Sequence, residues 1–332
     1  MNVTIHDVAK AASVSPSTVS RAYTMPELLR PDTRARVLAA AQSLGYQPNR
    51  AARGLITGRT GNIGVIVPDL SNPFFPAVLK GVQARAREAD FSVFLADAEE
   101  DPALEQELIQ AMAKQVDGVV LCSSRASDAT LGAIAKDIPL VLLNRRIGSV
   151  PAVLLDNAGG ARQAAEHLAA LGHRRVAYTN GPLSSWSNRA RRRGLKARGS
   201  VRGLEIVELG SFAPTFEGGL AAADQCVAAE VTAVVAFNDL VALGVQSRLR
   251  DRSIAVPREI SVIGFDDIPM AQMGSPPLTT VAMPCERAGR LSIDVLARRI
   301  GSEPPGSNGR NTAEPLPTTL IVRGSTAPPR KR

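Results

Sequence analysis

The chain has 332 residues, 45% of them hydrophobic and 4% aromatic, with a formal net charge of +8. That length has room for two or three domains packed on Ala, Val, Leu and Ile. No run approaches the roughly 18 apolar residues of a bilayer span, and Cys122, Cys226 and Cys285 are widely spaced and odd in number, so a membrane span, a bound metal and a disulfide framework are not expected. The opening MNVTIHDVAK lacks the charged-then-apolar layout of a secretory signal, and the expected setting is a reducing cytoplasm. Residues 1–60 hold eight Lys/Arg against three Asp/Glu, Arg330-Lys331-Arg332 end the chain, and the stretch between is neutral. A basic head on a neutral body points to a polyanion at one end; a solvated basic surface is the alternative.

Residues 4–45 carry helical periodicity and no strand-like alternation. Thr4 is a good N-cap for a helix with Ile5, Val8, Ala9 and Ala12 on one face. The stretch SVSPSTVSR (13–21) reads as a turn at Ser13-Val14 and a second helix, capped by Ser15 and opened by Pro16, whose missing amide costs nothing there. Val19 and Ala22 then pack toward Ile5 and Val8, while Ser17, Ser20 and Arg21 face outward together. Small hydroxyls let a helix approach base edges, arginine offers paired donors to guanine, and hydroxyls and helix-end amides such as those at Thr4 and Ser15 take phosphates. An ordinary solvated helical hairpin would show the same surface. A third helix opens at Pro31 and closes at Gly45, a C-cap position. The Gly- and Arg-rich stretch 47–61 reads as a linker that can hold one short helical turn.

From residue 62 apolar runs (NIGVIVP, FSVFLAD, DGVVLC, IPLVLLN, RRVAYTN, LEIVEL, TAVVAFN, EISVIGF) alternate with helical patterns. That alternation means parallel sheets covered on both faces, and about ten strands fit two lobes better than one, with a split near Val153–Asn157. Residues 301–315 read as a flexible loop and 324–332 as a disordered basic tail. A ligand held between such lobes meets residues just after the strands: Asp69 and SNPFF (71–75), Asn144-Arg145, SSWSNRARRRG, Asn238-Asp239 and Asp266-Asp267. Carboxylates, amides and arginine around aromatic faces suit a polyhydroxylated ligand. Trp186 either stacks on a ring or caps a lobe, Asp156 and Asn157 are read as organisers of the crossover, and Arg191–Arg193 as pins to neighbouring acids.

Two rivals lack their residues. Gly58-x-x-Gly61-x-x-Gly64 precedes the first strand instead of linking strand to helix, so it does not cradle a phosphate; His6, His167 and His173 enter no nucleophile–base grouping, and the expectation is that the chain is not an enzyme and needs no cofactor. An exported solute-binding protein would carry a signal and no basic helix-turn-helix head.

The segments VTIHDVAKAASVSPSTVSRAY…RPDTRARVLAAAQSLGYQPNRAARGL, TGNIGVIVPDLSNPFF, DNAGGARQAAEHLAALGHRRVAY, AVVAFNDLVALGV, ISVIGFDD, PPLTTV and LIVRGSTAPP closely resemble the LacI–GalR family of bacterial transcription regulators, in the family's order and over nearly the whole chain. The resemblance implies an α/β fold: an all-α helix-turn-helix headpiece (1–46), a hinge (47–60) and a two-lobed periplasmic-binding-protein-like body with parallel sheets (61–323). Within the body it implies a DNA-proximal lobe of about 61–157 plus 287–317 and a distal lobe of about 158–286 plus 318–323. It further implies a cytoplasmic homodimer, most simply a repressor, on pseudopalindromic double-stranded operator DNA, with a small sugar-like effector. Pro16 and Ser17 match the main sequence-reading pair, beside Thr18, Ser20 and Arg21. Leu55 matches the hinge leucine that wedges into the minor groove, with Asn49 and Arg50 near phosphates.

In the effector cleft Phe74, Phe75, Arg189, Phe212, Asn238 and Asp266 match ligand positions, and Asn144 stands where the family often has aspartate. Two further departures touch the backbone. Ser13 replaces a frequent turn glycine, at about 1 kcal/mol if φ is positive there, and Gly54 replaces a frequent serine, which weakens the isolated hinge helix by up to about 1 kcal/mol.

Overall fold

The computed structural model describes residues 3–46, 58–148, 150–301 and 314–330, in two compact units that divide after Gly61. The first unit holds α1 (Ile5–Ala11), α2 (Pro16–Thr24), a 3-10 turn at Pro26–Leu28 and α3 (Pro31–Leu44). Each start has a local cause. The Thr4 amide donates to Asp7 Oδ2 at 2.8 Å, closing the first turn of α1, and Thr18 N donates to Ser15 Oγ at 3.2 Å, with Pro16 as the first residue of α2. Gly45, at φ +67°, ends α3. Ser13 does take a positive φ, +53°, so the turn between α1 and α2 uses a left-handed residue that favours glycine. Val8, Ala9, Ala12, Val19, Ala22, Val37 and Ala41 form the core, and Arg36 Nε donates to Ala12 O at 3.0 Å, tying α3 to the end of α1.

The second unit contains two sheets. In the first lobe β1 (Asn62–Val67), β2 (Ser92–Asp97), β3 (Val119–Cys122), β4 (Leu140–Leu143) and β5 (Ala152–Val153) are parallel in the order β2-β1-β3-β4-β5. Val65 pairs with Leu95 on one side and Val120 on the other. Helices α4 (Phe74–Glu88), α5 (Pro102–Met112) and α6 (Asp128–Asp137) connect these strands. The second lobe holds β6 (Arg175–Asn180), β7 (Glu205–Ser211), β8 (Ala233–Ala236), β9 (Ser261–Asp266), β10 (Thr279–Ala282) and β11 (Thr319–Ile321) in the order β11-β10-β9-β8-β6-β7, with only β11 antiparallel. Its helices are α7 (Asn157–Leu171), α8 (Trp186–Arg202), α9 (Phe216–Ala228) and α10 (Asp239–Asp251). Fully buried runs such as Val119–Cys122, Leu140–Leu143 and Ala233–Ala236 are what parallel strands covered on both faces require.

Among the described residues the chain passes between the lobes three times. Residues 153–157 lead from β5 to α7, residues 282–285 from β10 back to α11 (Cys285–Gly301), and residues 316–319 from the first lobe's edge to β11. The first and third passages are paired, Asp156 N donating to Leu316 O at 2.9 Å and Leu316 N to Leu154 O at 2.8 Å. Helix α11 lies on α4 at a distance that only glycines allow: a Cβ on Gly81 would stand 2.0 Å from Glu286 O, and one on Gly289 2.2 Å from Val78 O.

The C-terminal tail departs from the disorder expected of its composition. Ser325 is fully buried; its Oγ donates to Val262 O at 2.6 Å and accepts from Thr279 N at 2.7 Å. Ala327 N donates to Ser261 Oγ at 3.1 Å, and His173 Nε2 lies 3.1 Å from Ala327 O. Backbone and hydroxyl groups at the ends of β9 and β10 are satisfied by this strap, which is why Gly324–Arg330 follows the second lobe. Among the described residues no helix is long and apolar enough to cross a membrane, and no cluster of His, Cys, Asp and Glu is built to hold a metal ion.

Candidate functional site

Two places collect the candidate residues, one on each unit. On the headpiece, α2 buries Val19 and Ala22 against α1 and leaves Ser17 and Arg21 exposed one turn apart. Ser15 Oγ lies 2.8 Å from Ser17 Oγ and 2.9 Å from Thr18 Oγ1, so the hydroxyls at the start of α2 form one cluster. Pro16, Thr18 and Ser20 are half-buried beside them. Thr4 is exposed and its hydroxyl donates to Asp7 Oδ2 at 2.7 Å, which holds the carboxyl of Asp7 below the usual range. Asn49, Arg50 and Leu55 lie outside the described residues.

In the body, the second place lies where strand ends of the two lobes meet. Asn144 follows β4 at φ +60° and Asp266 ends β9 at φ +109°. Phe74 and Phe75 open α4 edge to face, 5.0 Å between ring centres. These four, with Ser123, Glu100, Arg125, Pro214, Phe237 and Arg191, line a space of about 330 Å³, part of it open solvent.

Arg191 is the centre of this arrangement. Its guanidinium carbon stands 4.3 Å from the ring centre of Phe265 and 5.1 Å from that of Phe237. Nε donates to Asn157 Oδ1 at 2.9 Å, Nη2 to Asp266 Oδ1 at 3.2 Å, and Nη1 to Phe237 O. The side chains of Arg191 and Asp266 are 3% and 5% exposed. Burial pushes the Asp266 carboxyl up to about 6, against the pull of Arg191. Behind it, Asp239 accepts from Thr280 Oγ1 and from Ile268 N, and burial, followed by the charge of Asp266, holds its pKa well above the ordinary value. The polar chain continues across the lobes: Asn157 Nδ2 donates to Asn144 Oδ1 at 2.7 Å, and Asn144 Nδ2 to Ser123 Oγ at 3.1 Å. A carboxylate, a guanidinium and two amides beside aromatic faces supply paired acceptors and donors for hydroxyl groups.

Three candidates lie elsewhere. Asn238 is fully engaged, its Oδ1 accepting from Val241 N at 2.9 Å as the cap of α10 and its Nδ2 donating to Pro214 O at 2.9 Å. Phe212 packs half-buried on the apolar core of the second lobe. Arg189 is exposed and donates to Leu183 O and Ser184 O. The arginine brought to Asp266 is therefore Arg191 and not Arg189. Two residues along a helix turn the side chain by about 200°, and the buried face of α8 runs through Ser187, Ala190, Arg191, Gly194 and Leu195. That phase was available in the sequence: Ser187, Gly194 and Leu195 mark the inward stripe, and Arg191 lies on it. Arg192 pairs with a second acid, Glu208, at 3.4 Å. Trp186 packs on the first lobe's core, so it caps that lobe.

Comparison with known proteins supplies the class. Residues 4–49 match the family of bacterial regulatory proteins, lacI family, and residues 165–326 match a periplasmic binding protein-like domain. A helix-turn-helix headpiece joined to such an effector-binding body defines a DNA-binding transcription regulator, not an enzyme. The chain belongs to the lacI family. It is 33% identical to the HTH-type transcriptional regulator DegA of Bacillus subtilis, over 99% of each chain. The structure of the lac repressor dimer bound to operator and the anti-inducer ONPF superposes with a TM-score of 0.84 at 26% identity, covering 98% of this chain and 100% of that one. The complex of the transcriptional regulator CelR with cellobiose gives a TM-score of 0.70 at 31% identity, with the same coverage.

Proposed function

We propose that the protein is a repressor that reads a pseudopalindromic operator as a homodimer and whose grip on DNA is modulated by a sugar-like ligand in the cleft of Arg191 and Asp266. The observation that carries the reading is that buried ion pair, held between two aromatic rings at the boundary of two lobes. A buried pair costs desolvation and adds little stability of its own, whereas it supplies a ligand with a fixed donor and acceptor. The lac repressor and CelR structures, which contain an operator and a sugar respectively, support the same assignment by likeness.

In this reading Ser17 and Arg21 reach base edges, and Pro16, Thr18 and Ser20 line the approach. The hydroxyls of Thr4 and Ser15, with the free amides beside them, take phosphates. Asn49 and Arg50 take phosphates, with Leu55 as the minor-groove wedge. Phe74, Phe75, Asn144 and Asp266 face the ligand. Ligand binding changes the closure of the lobes, a coupling between two sites of typically about 1–3 kcal/mol.

The test is a gel shift with the full chain on its own upstream DNA, repeated with a panel of neutral and anionic sugars. Binding that is lost on removing residues 1–60, and that one sugar alters in the wild type but not in Asp266→Ala, is the expected result. A response to the sugar that survives Asp266→Ala would remove the cleft from the account.

A further inference from the structure

Arg189 has no part in the cleft, yet it is not alone. At the edge of the cleft it meets Arg125 and Arg145 of the first lobe, and these three, with Ser127, Asp128 and Ser184, line a second space of about 1020 Å³, part of it open solvent. Arg125 lines both spaces, so the two adjoin. Two helix starts point here: Ser127 caps α6, and Ser184 precedes Ser185, the cap of α8. Their partial positive charge favours an anion.

The arginines are unequally matched. Arg125 is neutralised by Glu100, with Nη2 to Oε1 at 2.8 Å. Arg145 is only 3% exposed; Nη1 donates to Ser124 O at 2.8 Å and Nη2 to Asp128 Oδ1 at 2.7 Å, while its buried Nε has no partner among the described residues. The Asp128 side chain is 76% exposed, so a buried guanidinium depends on a solvated carboxylate. Arg189 forms no ion pair among the described residues and donates only to two backbone carbonyls, at 3.3 and 3.1 Å. A desolvated arginine whose terminal nitrogen is held by a solvated carboxylate, lining the same space as an arginine of the other lobe that forms no ion pair among the described residues, is a receptor for a planar or tetrahedral oxyanion.

We propose that this space is an oxyanion subsite and that the effector is an anionic sugar, a phosphate or a sugar acid. Its ring lies in the Arg191–Asp266 cleft and its anionic group lies between Arg145 and Arg189. The proposal rests on the cleft reading for the position of the ring, but the subsite itself does not. The anion displaces Asp128 into solvent and takes over its bond to Arg145. Because Arg145 and Arg189 come from different lobes, a shared anion draws the lobes together, which joins charge recognition to the closure that modulates DNA binding.

The experiment is a titration of the full chain with inorganic phosphate at constant ionic strength in chloride, followed by thermal melting, with glucose, glucose 6-phosphate and glucuronate as further arms. Saturable stabilisation by phosphate is expected. Arg189→Ala, at an exposed position, should weaken it about tenfold or more, and Arg145→Gln likewise. Asp128→Asn should strengthen it. Glucose 6-phosphate binding better than glucose assigns a phosphate ester, and glucuronate binding better assigns a carboxylate. Asp266→Asn should leave the response to inorganic phosphate intact while weakening the sugars. No saturable response up to about 50 mM phosphate, or one that Arg189→Ala does not change, overturns the subsite. Loss of the sugar response alone would count against the cleft reading and leave the subsite standing.

Discussion

Asn157 of the second lobe donates from Nδ2 to Oδ1 of Asn144 in the first, at 2.7 Å. Asn157 Oδ1 also accepts from Arg191 Nε, so the residue that pairs with Asp266 is two hydrogen bonds away from the end of β4. Both asparagines are at least 98% buried. A ligand that moves Arg191 must therefore break or carry this amide link. Replacing each asparagine by Ala, singly and together, should give a coupling energy of about 1 kcal/mol in chemical denaturation. Strict additivity would show that the link contributes nothing.

Removing one partner of the buried ion pair should be costly. Arg191→Ala leaves the Asp266 carboxylate buried beside Asp239, and a loss of about 3–5 kcal/mol is expected. The double replacement Arg191→Met with Asp266→Leu should be markedly less destabilised than Arg191→Ala, because it leaves no orphaned charge. Equal unfolding midpoints for the two variants would argue that the pair is solvated in solution.

The same carboxyl sets a pH dependence with a definite sign. Asp266 titrates near 6 in the folded protein against a reference of 3.8, so between those values the folded state binds the proton more tightly than the unfolded chain. Its contribution to stability is fully present below about pH 4 and is lost as pH rises through about 6. The stability of the wild type relative to Asp266→Asn should therefore fall across that window. Glu166 and Asp224, whose arginine partners lower their pKa values, act in the opposite sense in both proteins and cancel in the comparison.

On the headpiece, Arg21→Ala removes an exposed side chain that no described core contact needs. Affinity for the operator should drop by about 1–3 kcal/mol with little change in affinity for scrambled DNA or in Tm. Equal losses on both DNAs would mean that Arg21 contacts phosphate only.

The α4–α11 contact gives a prediction with no functional content. Gly81→Ala places a methyl carbon 2.0 Å from Glu286 O, and separation of the two helices should cost about 1–3 kcal/mol. A Tm equal to the wild type would show that the contact yields freely.

What is legible one segment at a time has local causes. Ser15 and Pro16 start α2 and Gly45 stops α3, while the left-handed backbone at Ser13 is signalled only by the glycine that the family often has there. Runs of β-branched and aliphatic residues announce parallel strands. The cleft was legible only as far as its residues follow strands: Asn144 and Asp266 were found because chain order puts them at strand ends. Arg191, two residues from Arg189, lies on the inward stripe of α8 that Ser187, Gly194 and Leu195 mark in the sequence, whereas its meeting with Asp266 depends on the folded lobe.

The tail makes the same point more sharply. STAPPRKR has the composition of a free end, and nothing in it reveals that Ser325 fills an unsatisfied position between β9 and β10. Helix starts and stops follow from bonds between neighbours in the chain. The arginine that meets Asp266, and the strap that closes the second sheet, follow from groups more than 40 residues apart that acquire a common desolvated environment only when the lobes have formed.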